Sequence, residues 1–134
     1  GLSGLRRASG DARDSVENTD LNHPAIDPRR YALVFLCTPT WWFRPAVPMW
    51  AFAAQHRFDG ARTFLLMTGN SRLTAEATDP FEKLLEQRGG MHLGRYFAER
   101  GRVFMQKSPA ELHAEIETVL ATRDSLWPKV ATRP

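Results

Sequence analysis

The chain of 134 residues has a hydrophobic share of 43% and a charged share of 25%, which are typical of one soluble globular domain and exclude disordered and fibrous classes. Its longest apolar run, residues 32–37, is far shorter than the roughly 20 residues that span a bilayer, and no apolar stretch follows the basic first residues. We therefore expect a cytoplasmic protein with no membrane partner. The net charge is only +3 and the arginines are scattered, so no nucleic-acid partner is expected either.

Side chains for metal or nucleophilic chemistry form no recognisable motif in the sequence. Cys37 is the only cysteine, which excludes an intramolecular disulfide and a cysteine-built metal site. The four histidines are not spaced as ligands on one helix, so no metal site is predicted. Because no Gly-x-Ser-x-Gly element or cysteine–histidine pair is present, no catalytic side chain is predicted. Redox chemistry would then belong to a bound cofactor that the protein orients.

Secondary-structure patterns become clear only after the first thirty residues. Glycines interrupt a short helical spacing in residues 1–30, and we expect this segment to be weakly structured. Residues 31–37 form a continuous apolar run of strand length. Since this run does not alternate with polar residues, both of its faces are predicted to be covered, as in a parallel sheet flanked by helices. An apolar stripe then predicts a helix from Pro45 or Ala46 to His56.

A second apolar strand is predicted at residues 63–67, and a helix with clear end signals follows it. The helix is predicted to begin with Pro80 in its first turn and to end at the glycine pair 89–90. A third strand is expected at residues 91–97 or, alternatively, at residues 101–105.

The last predicted helix has a local start signal. Ser108 and Glu111 form a capping box, with Pro109 at the first helical position. Strands and helices thus alternate over residues 31–127, which we expect to be one domain, with a tail at 128–134. Such alternation predicts a three-layer α/β/α fold with an open parallel sheet and right-handed crossovers.

Aromatic residues are concentrated where the first predicted strand ends. The loop predicted at residues 38–44 contains Trp41, Trp42 and Phe43, outside any helical stripe. In open parallel sheets ligands bind at the carboxyl ends of the strands. A planar aromatic ligand could stack on these rings while backbone N–H groups beside the threonines bond its polar edge. The alternative is that Trp42 and Phe43 pack as ordinary core against the following helix.

The second predicted strand is followed by a loop of small polar residues. Its first part reads Thr68-Gly69-Asn70-Ser71. Such residues allow a ligand to approach the backbone closely, because glycine has no side chain. The same residues are also typical of an ordinary surface turn, so both interpretations remain open.

The run Tyr31-Ala32-Leu33-Val34-Phe35-Leu36-Cys37-Thr38-Pro39-Thr40-Trp41-Trp42 resembles the third strand and following loop of flavodoxin-like proteins. In that family the segment often begins with tyrosine and aspartate and ends with Gly-Thr-Pro and an aromatic residue, so Ala32 and Cys37 depart from the pattern. Residues 60–69 look like the fourth strand and its loop, and the resemblance covers residues 27–120. It implies FMN as cofactor, with the two loops flanking the flavin ring. The implied cofactor-binding residues are Thr38, Pro39, Thr40, Trp41, Trp42, Phe43, Thr68, Gly69, Asn70 and Ser71.

The resemblance lacks one part of the family pattern, the first strand with its Ser/Thr-rich phosphate loop. The chain then corresponds to strands 3-4-5 of the order 2-1-3-4-5. Because the first strand pairs with the third in that order, residues 31–37 would form an apolar edge strand, which is an aggregation hazard. We expect a preceding native segment to be missing, or another chain to cover this edge. FMN binding is expected to be impaired because the phosphate lacks its cradle.

The resemblance implies FMN-dependent electron or hydride transfer, with a redox partner protein, NAD(P)H or a quinone as partner. An enzyme of this kind would be an FMN-dependent NAD(P)H (quinone) oxidoreductase. The pI near 9.5 slightly favours it over a small electron carrier, since flavodoxin carriers tend to be acidic. The alternative is a flavin-free protein-interaction domain that uses the aromatic loop and the open strand edge, and a homodimer is compatible with it.

Overall fold

The structure is a computed structural model that describes residues 21–121, so the expectations for residues 1–20 and 122–134 lie outside the described residues. The strands are β1 (Leu33–Trp41), β2 (Arg44–Pro45), β3 (Arg62–Gly69) and β4 (Met91–Glu99). The α-helices of this part of the chain are α1 (Val47–Gln55), α2 (Ala75–Gln87) and α3 (Pro109–Ala121). A short 3-10 turn, Pro28–Arg30, precedes β1.

The four strands form one sheet in the order β2-β1-β3-β4. β1 is parallel to β3 and β3 is parallel to β4, with Pro39, Thr68 and Ala98 side by side near the carboxyl ends. β2 is antiparallel to β1, because Trp42 and Phe43 reverse the chain in a two-residue turn. The predicted α/β class is therefore confirmed. The predicted open parallel sheet is present in part, since β1, β3 and β4 are parallel to one another and the hairpin adds the antiparallel strand β2.

One face of the sheet forms the hydrophobic core with α1 and α2. Leu36, Leu65 and Met67 are buried there in one cluster with Phe81 and Leu85 of α2. Burial of each such side chain contributes roughly 1.5–3 kcal/mol relative to exposure, so this layer contributes much of the stability. The helix predicted from Pro45 or Ala46 to His56 is confirmed as α1.

The other face of β1 is not covered by residues 21–121. Leu36 and Thr38 are 2% and 5% exposed, whereas Phe35 is 52% exposed and Cys37 is also exposed. The expectation that both faces of this strand are covered is thus wrong for the described residues, because an apolar run does not specify which segment packs on it. On its outer edge β1 pairs with β2 only at Thr40 and Trp41. Within residues 21–121, the rest of that edge is unpaired and apolar.

Helix α2 begins earlier than its sequence suggests. It starts at Ala75, and Pro80 lies inside it rather than in the first turn. Thr78 is 1% exposed, and its hydroxyl donates to the carbonyl of Ala75 at 3.1 Å. The buried Thr78 side chain therefore stabilises an additional helical turn before Pro80. Pro80 is the sixth residue of the helix and has no N–H to donate to the carbonyl of Glu76, so one backbone hydrogen bond is missing there.

The other helix boundaries follow local signals. Gly89 has a φ of +88°, and the N–H of Gly90 donates to the carbonyl of Leu85 at 3.0 Å, as in a Schellman ending. The capping box is also present, since the Ser108 N–H donates to Glu111 Oε2 at 2.6 Å and the Glu111 N–H donates to Ser108 Oγ at 3.2 Å. The predicted end of α2 and start of α3 are confirmed.

Candidate functional site at the carboxyl edge

The carboxyl ends of β1, β3 and β4 meet at one edge of the sheet, which we call the carboxyl edge. Three segments form it: the aromatic hairpin (residues 41–44), the β3–α2 loop (residues 70–74) and the β4–α3 loop (residues 100–108). In parallel sheets this is the edge where ligands bind, because the loops that follow the strands gather there.

Hydrogen bonds join the three segments across the strand ends. The hydroxyl of Thr40, next to the aromatic hairpin, donates to the carbonyl of Thr68 at 2.9 Å. The N–H of Arg100, at the start of the β4–α3 loop, donates to the carbonyl of Gly69 at 2.8 Å. The β3–α2 loop therefore lies between the other two, and the carboxyl edge is one continuous surface.

The aromatic hairpin replaces the loop that was predicted at residues 38–44. β1 continues to Trp41, which pairs with Arg44 across the turn. Trp42 and Phe43 have φ angles of 50° and 62°, a left-handed conformation that costs a residue with a side chain roughly 1–2 kcal/mol. Hairpin turns with two positive φ angles usually contain Asn-Gly, so this sequence is unusual for its turn.

The rings of the aromatic hairpin are turned toward solvent. Trp42 is 89% exposed, Phe43 is 54% exposed and Trp41 is 50% exposed. The alternative that Trp42 and Phe43 are ordinary core against the following helix is therefore wrong. A strained turn that presents large aromatic side chains to solvent is a feature that functional sites often show.

Thr38, one of the predicted flavin contacts, faces the core instead. Its hydroxyl accepts a hydrogen bond from the Ala46 N–H at 3.1 Å and donates to the carbonyl of Pro39 at 3.0 Å. Ala46 is the residue before α1, so Thr38 fixes the start of that helix behind the hairpin. Its side chain therefore supports the carboxyl edge from inside. The neighbouring Pro39 is exposed.

Thr68 and Gly69 are the last residues of β3 rather than loop residues. A Cβ atom on Gly69 would lie 2.9 Å from Thr40 Oγ1 and 3.0 Å from the ring of Phe97. The glycine is thus required by the close approach of the neighbouring strands, whatever binds outside. Asn70 is exposed and Ser71 is half-buried, so the polar surface of the β3–α2 loop begins with these residues.

The β4–α3 loop contains an apolar triplet that the sequence did not identify as part of the site. Val103, Phe104 and Met105 are 77%, 99% and 84% exposed. The third strand is β4, so the alternative strand at residues 101–105 is wrong. The N–H of Lys107 donates to the carbonyl of Arg100 at 2.7 Å, which closes the base of this loop and leaves the triplet projecting. In the sequence, the three consecutive apolar residues would indicate this feature once residues 91–97 are assigned to the third strand.

The three segments that carry the exposed apolar residues also carry positive charge. Four exposed arginines lie on the three segments: Arg44, Arg72, Arg100 and Arg102. None of them takes part in the ion pairs found among residues 21–121. Lys107, by contrast, is bonded to Glu115 of α3 at 2.5 Å, and Glu99, the acid next to Arg100 in the chain, is half-buried.

A cavity of about 170 Å³ lies beneath the β3–α2 loop. Its walls come from β3, β4 and the start of α2: Met67, Leu73, Thr74, Thr78, Arg95, Tyr96 and Phe97. Arg95 in its wall is bonded to Glu82 at 2.7 Å, and this bond raises the pKa of the guanidinium. Pockets that enclose a drug-sized ligand begin near roughly 300 Å³, so this cavity is too small to enclose a large aromatic ligand.

Two further polar clusters hold helices to the sheet. The Tyr96 hydroxyl donates to Glu115 Oε1 at 2.7 Å, joining α3 to β4; burial and this bond raise the pKa of Tyr96 to about 12. On the core side, His92 Nδ1 lies 3.1 Å from the Thr63 hydroxyl, and its Nε2 lies 3.4 Å from Glu82 of α2. Within the described part of the chain, no group of three or more His, Cys, Asp or Glu side chains is arranged to bind a metal.

The fold defines an α/β protein with a mixed four-stranded sheet and an aromatic, arginine-rich carboxyl edge. No protein-family model, curated protein or solved structure matches the chain. None of the helices in residues 21–121 combines the length and apolar character needed to cross a bilayer.

Proposed function

We propose that this chain is a flavodoxin-like FMN domain for electron or hydride transfer, with the flavin ring at the carboxyl edge between the aromatic hairpin and the β3–α2 loop. The observation that carries the proposal is the Thr40–Thr68 hydrogen bond of 2.9 Å, which joins the ends of these two segments. They are also the segments in which the sequence resembles the family. Its redox partner would be a protein, NAD(P)H or a quinone, and an enzyme of this kind would be an NAD(P)H (quinone) oxidoreductase.

The aromatic hairpin would supply one wall of the ring site. Trp41 and Trp42 offer exposed ring faces, and a flat ligand gains from offset stacking on such faces. Phe43 extends the same wall. Rings over a flavin exclude water and disfavour its negatively charged reduced form, so they would lower its reduction potential.

The β3–α2 loop would supply the polar wall. Asn70 and Ser71 can bond the carbonyl and N–H groups along the edge of the ring. Thr38 and Gly69 would act indirectly, since the first fixes the start of α1 and the second lets the strand ends approach. Bound FMN would supply the redox chemistry, while these side chains bind the ring and shield it.

The flavin ring, rather than the phosphate of FMN, should contribute most of the affinity of this chain for FMN. A Ser/Thr-rich phosphate loop of the family kind does not occur among residues 21–121. We therefore expect riboflavin, which has no phosphate, to bind about as well as FMN. A titration that follows flavin fluorescence would measure both affinities.

Variants of the hairpin test where the ring binds. Trp41→Ala and Trp42→Ala should each weaken flavin binding by roughly three- to tenfold, which corresponds to one lost stacking contact. Tyr31→Ala is the matched control, because Tyr31 is 56% exposed but lies before β1, at the opposite end of the strand. Strong quenching that neither tryptophan variant reduces would rule out the stacking role. If neither FMN nor riboflavin is quenched at any soluble concentration, the flavin site itself is wrong.

A second function, that of a flavin-free protein-interaction domain, is favoured by the open edge of β1. Phe35 is 52% exposed beside an edge that no strand of residues 21–121 pairs with before Thr40, and an apolar edge strand readily pairs with another chain. Size-exclusion chromatography with light scattering, without flavin, would detect a dimer. Phe35→Glu should abolish such a dimer, whereas Met91→Glu, at an exposed position of β4, should preserve it. A monomer at all concentrations would contradict pairing between copies.

A further inference from the structure

The apolar triplet of the β4–α3 loop is separate from both walls of the proposed flavin site. Phe104 is 99% exposed and Met105 is 84% exposed, so neither contributes to the packing of the described domain. Adjacent exposed apolar side chains on a protein surface often mark an interaction site. Trp42, which is 89% exposed, lies on the same edge of the sheet beyond β1, with β3 between it and the triplet.

Arginines with no ion-pair partner among residues 21–121 lie close to the triplet along the chain and across the edge. Arg100 and Arg102 precede it in the same loop, and Arg72 lies in the β3–α2 loop, which follows Gly69, the acceptor of the Arg100 N–H at 2.8 Å. Apolar side chains with arginines beside them match a surface that is anionic outside and apolar just beneath.

We propose that the carboxyl edge docks on an anionic lipid surface, with Phe104 and Met105 entering the boundary between headgroups and acyl chains. Arginines at the base of the loop would bind the lipid phosphates. A lipid surface suits these residues better than a protein partner, because a projecting tip can enter a soft bilayer. A protein would instead need a matching groove.

Such docking is compatible with the absence of a spanning helix among residues 21–121, because interfacial binding needs only a few apolar side chains and nearby positive charge. The sequence expectation of no membrane partner considered spanning segments and a dispersed charge of +3. Folding collects part of that charge at one edge, and this arrangement is not visible in the linear sequence.

Co-sedimentation of the whole chain with vesicles tests the proposal. We expect binding to vesicles of phosphatidylcholine with phosphatidylglycerol, weakening as salt is raised, and little binding to phosphatidylcholine alone. Met105→Ser should weaken binding by roughly tenfold, and Arg102→Gln by roughly fivefold. No flavin is added, so the outcome is independent of the proposed FMN site.

Matched variants at the opposite end of the strands provide the controls. Met91 is 54% exposed at the start of β4, and Arg30 is exposed just before β1, so Met91→Ser and Arg30→Gln should leave binding unchanged. Absence of binding to the anionic vesicles would overturn the proposal, as would equal losses in loop and control variants. It would also be overturned if poly-glutamate bound as tightly as the vesicles with the same variant pattern, because the edge would then recognise acidic protein.

Discussion

The two ends of the parallel strands are built in opposite ways. At the amino edge, where β3 and β4 begin, backbone hydrogen bonds tie the loops together: the Phe58 N–H donates to the Arg88 carbonyl at 2.8 Å and the Met91 N–H donates to the Ala61 carbonyl at 2.8 Å. Phe58 is fully buried there. At the carboxyl edge, the loops are joined mainly at their bases, and their apolar side chains project into solvent.

Charge follows the same division. At the amino edge, Asp27 is bonded to Arg29 at 2.9 Å and Asp59 to Arg57 at 2.8 Å, and these bonds lower the pKa of both carboxyl groups. The four arginines of the carboxyl edge have no such partner among residues 21–121. Asp27 and Asp59 at the amino edge thus each have an arginine partner, whereas the carboxyl edge has four arginines without an ion-pair partner among residues 21–121, together with exposed rings. We infer that the amino edge mainly stabilises the fold and that the carboxyl edge is the surface available to bind a ligand or partner.

The largest expected effect is on the free energy of unfolding, when one phenylalanine ring is removed at the amino edge and one at the carboxyl edge. Phe58 and Phe104 both lie in loops, but Phe58 is 0% exposed and Phe104 is 99% exposed. Phe58→Ala should lower the free energy of unfolding by about 3–5 kcal/mol, because it removes buried contacts and leaves a cavity. Phe104→Ala should change it by less than about 0.5 kcal/mol. Urea unfolding followed by circular dichroism measures both.

Similar losses in the two variants would contradict this division, since Phe104 would then pack in solution. Phe58→Leu is the control on the amino edge. It retains much of the buried volume and should cost distinctly less than Phe58→Ala.

Features fixed by neighbouring residues could be predicted from the sequence. The capping box needs only Ser108 and Glu111, and the end of α2 needs only the glycine pair at 89–90, so both were correct. The start of α2 was misplaced, because burial of Thr78 against the core outweighs the local preference of Pro80 for a first turn.

The surface of the candidate site depends on contacts that are distant in sequence. Nothing local indicates that Trp42 and Phe43 adopt positive φ angles, since the usual Asn-Gly signal is absent. From the sequence alone, the apolar triplet at 103–105 was compatible with a strand. The structure shows that the third parallel strand is β4, which ends before the triplet. The sequence therefore showed where aromatic residues are concentrated along the chain but not that a hairpin turn exposes them to solvent.

Relieving the strain in the turn at Trp42 and Phe43 should raise the free energy of unfolding, by less than the loss expected from Phe58→Ala. Replacing Trp42 with Asn and Phe43 with Gly supplies residues that adopt positive φ at low cost, so stability should rise by about 1 kcal/mol. Flavin binding should weaken in the same variant, because both rings are lost. Urea midpoints and flavin titrations on the same samples would show whether the strain is maintained for binding.

A substitution at Gly60 of the amino edge tests the opposite change, in which backbone strain is introduced rather than removed. Its φ is +80° and a Cβ there would have no atom within 4 Å, so Gly60→Ala introduces backbone strain without a clash. It should lower stability by about 1 kcal/mol and leave flavin binding unchanged. A hairpin variant that loses stability would show that the exposed rings stabilise the fold, and the division between the two ends would not hold.

The smallest expected effect is a change in pH dependence at the attachment of α3. Burial and the bond to Glu115 raise the pKa of Tyr96 from 10.0 to about 12. Between these two values the unfolded chain has lost a proton that the folded protein retains. Tyr96 therefore stabilises the fold fully below pH 10, and this contribution disappears as the pH rises toward 12.

Tyr96→Phe should remove this contribution, so the urea midpoint of the variant should fall less steeply than that of the parent over the same alkaline range. Lysine and arginine side chains also titrate there, and for this reason the difference between the two slopes is the relevant measurement. Tyr31→Phe is the matched comparison, because it removes the same hydroxyl from a ring that is 56% exposed at the amino edge. Parallel curves for parent and Tyr96→Phe would mean that the Tyr96–Glu115 bond does not hold α3 on the sheet in solution, and α3 would then resemble the loosely tied carboxyl edge rather than the core.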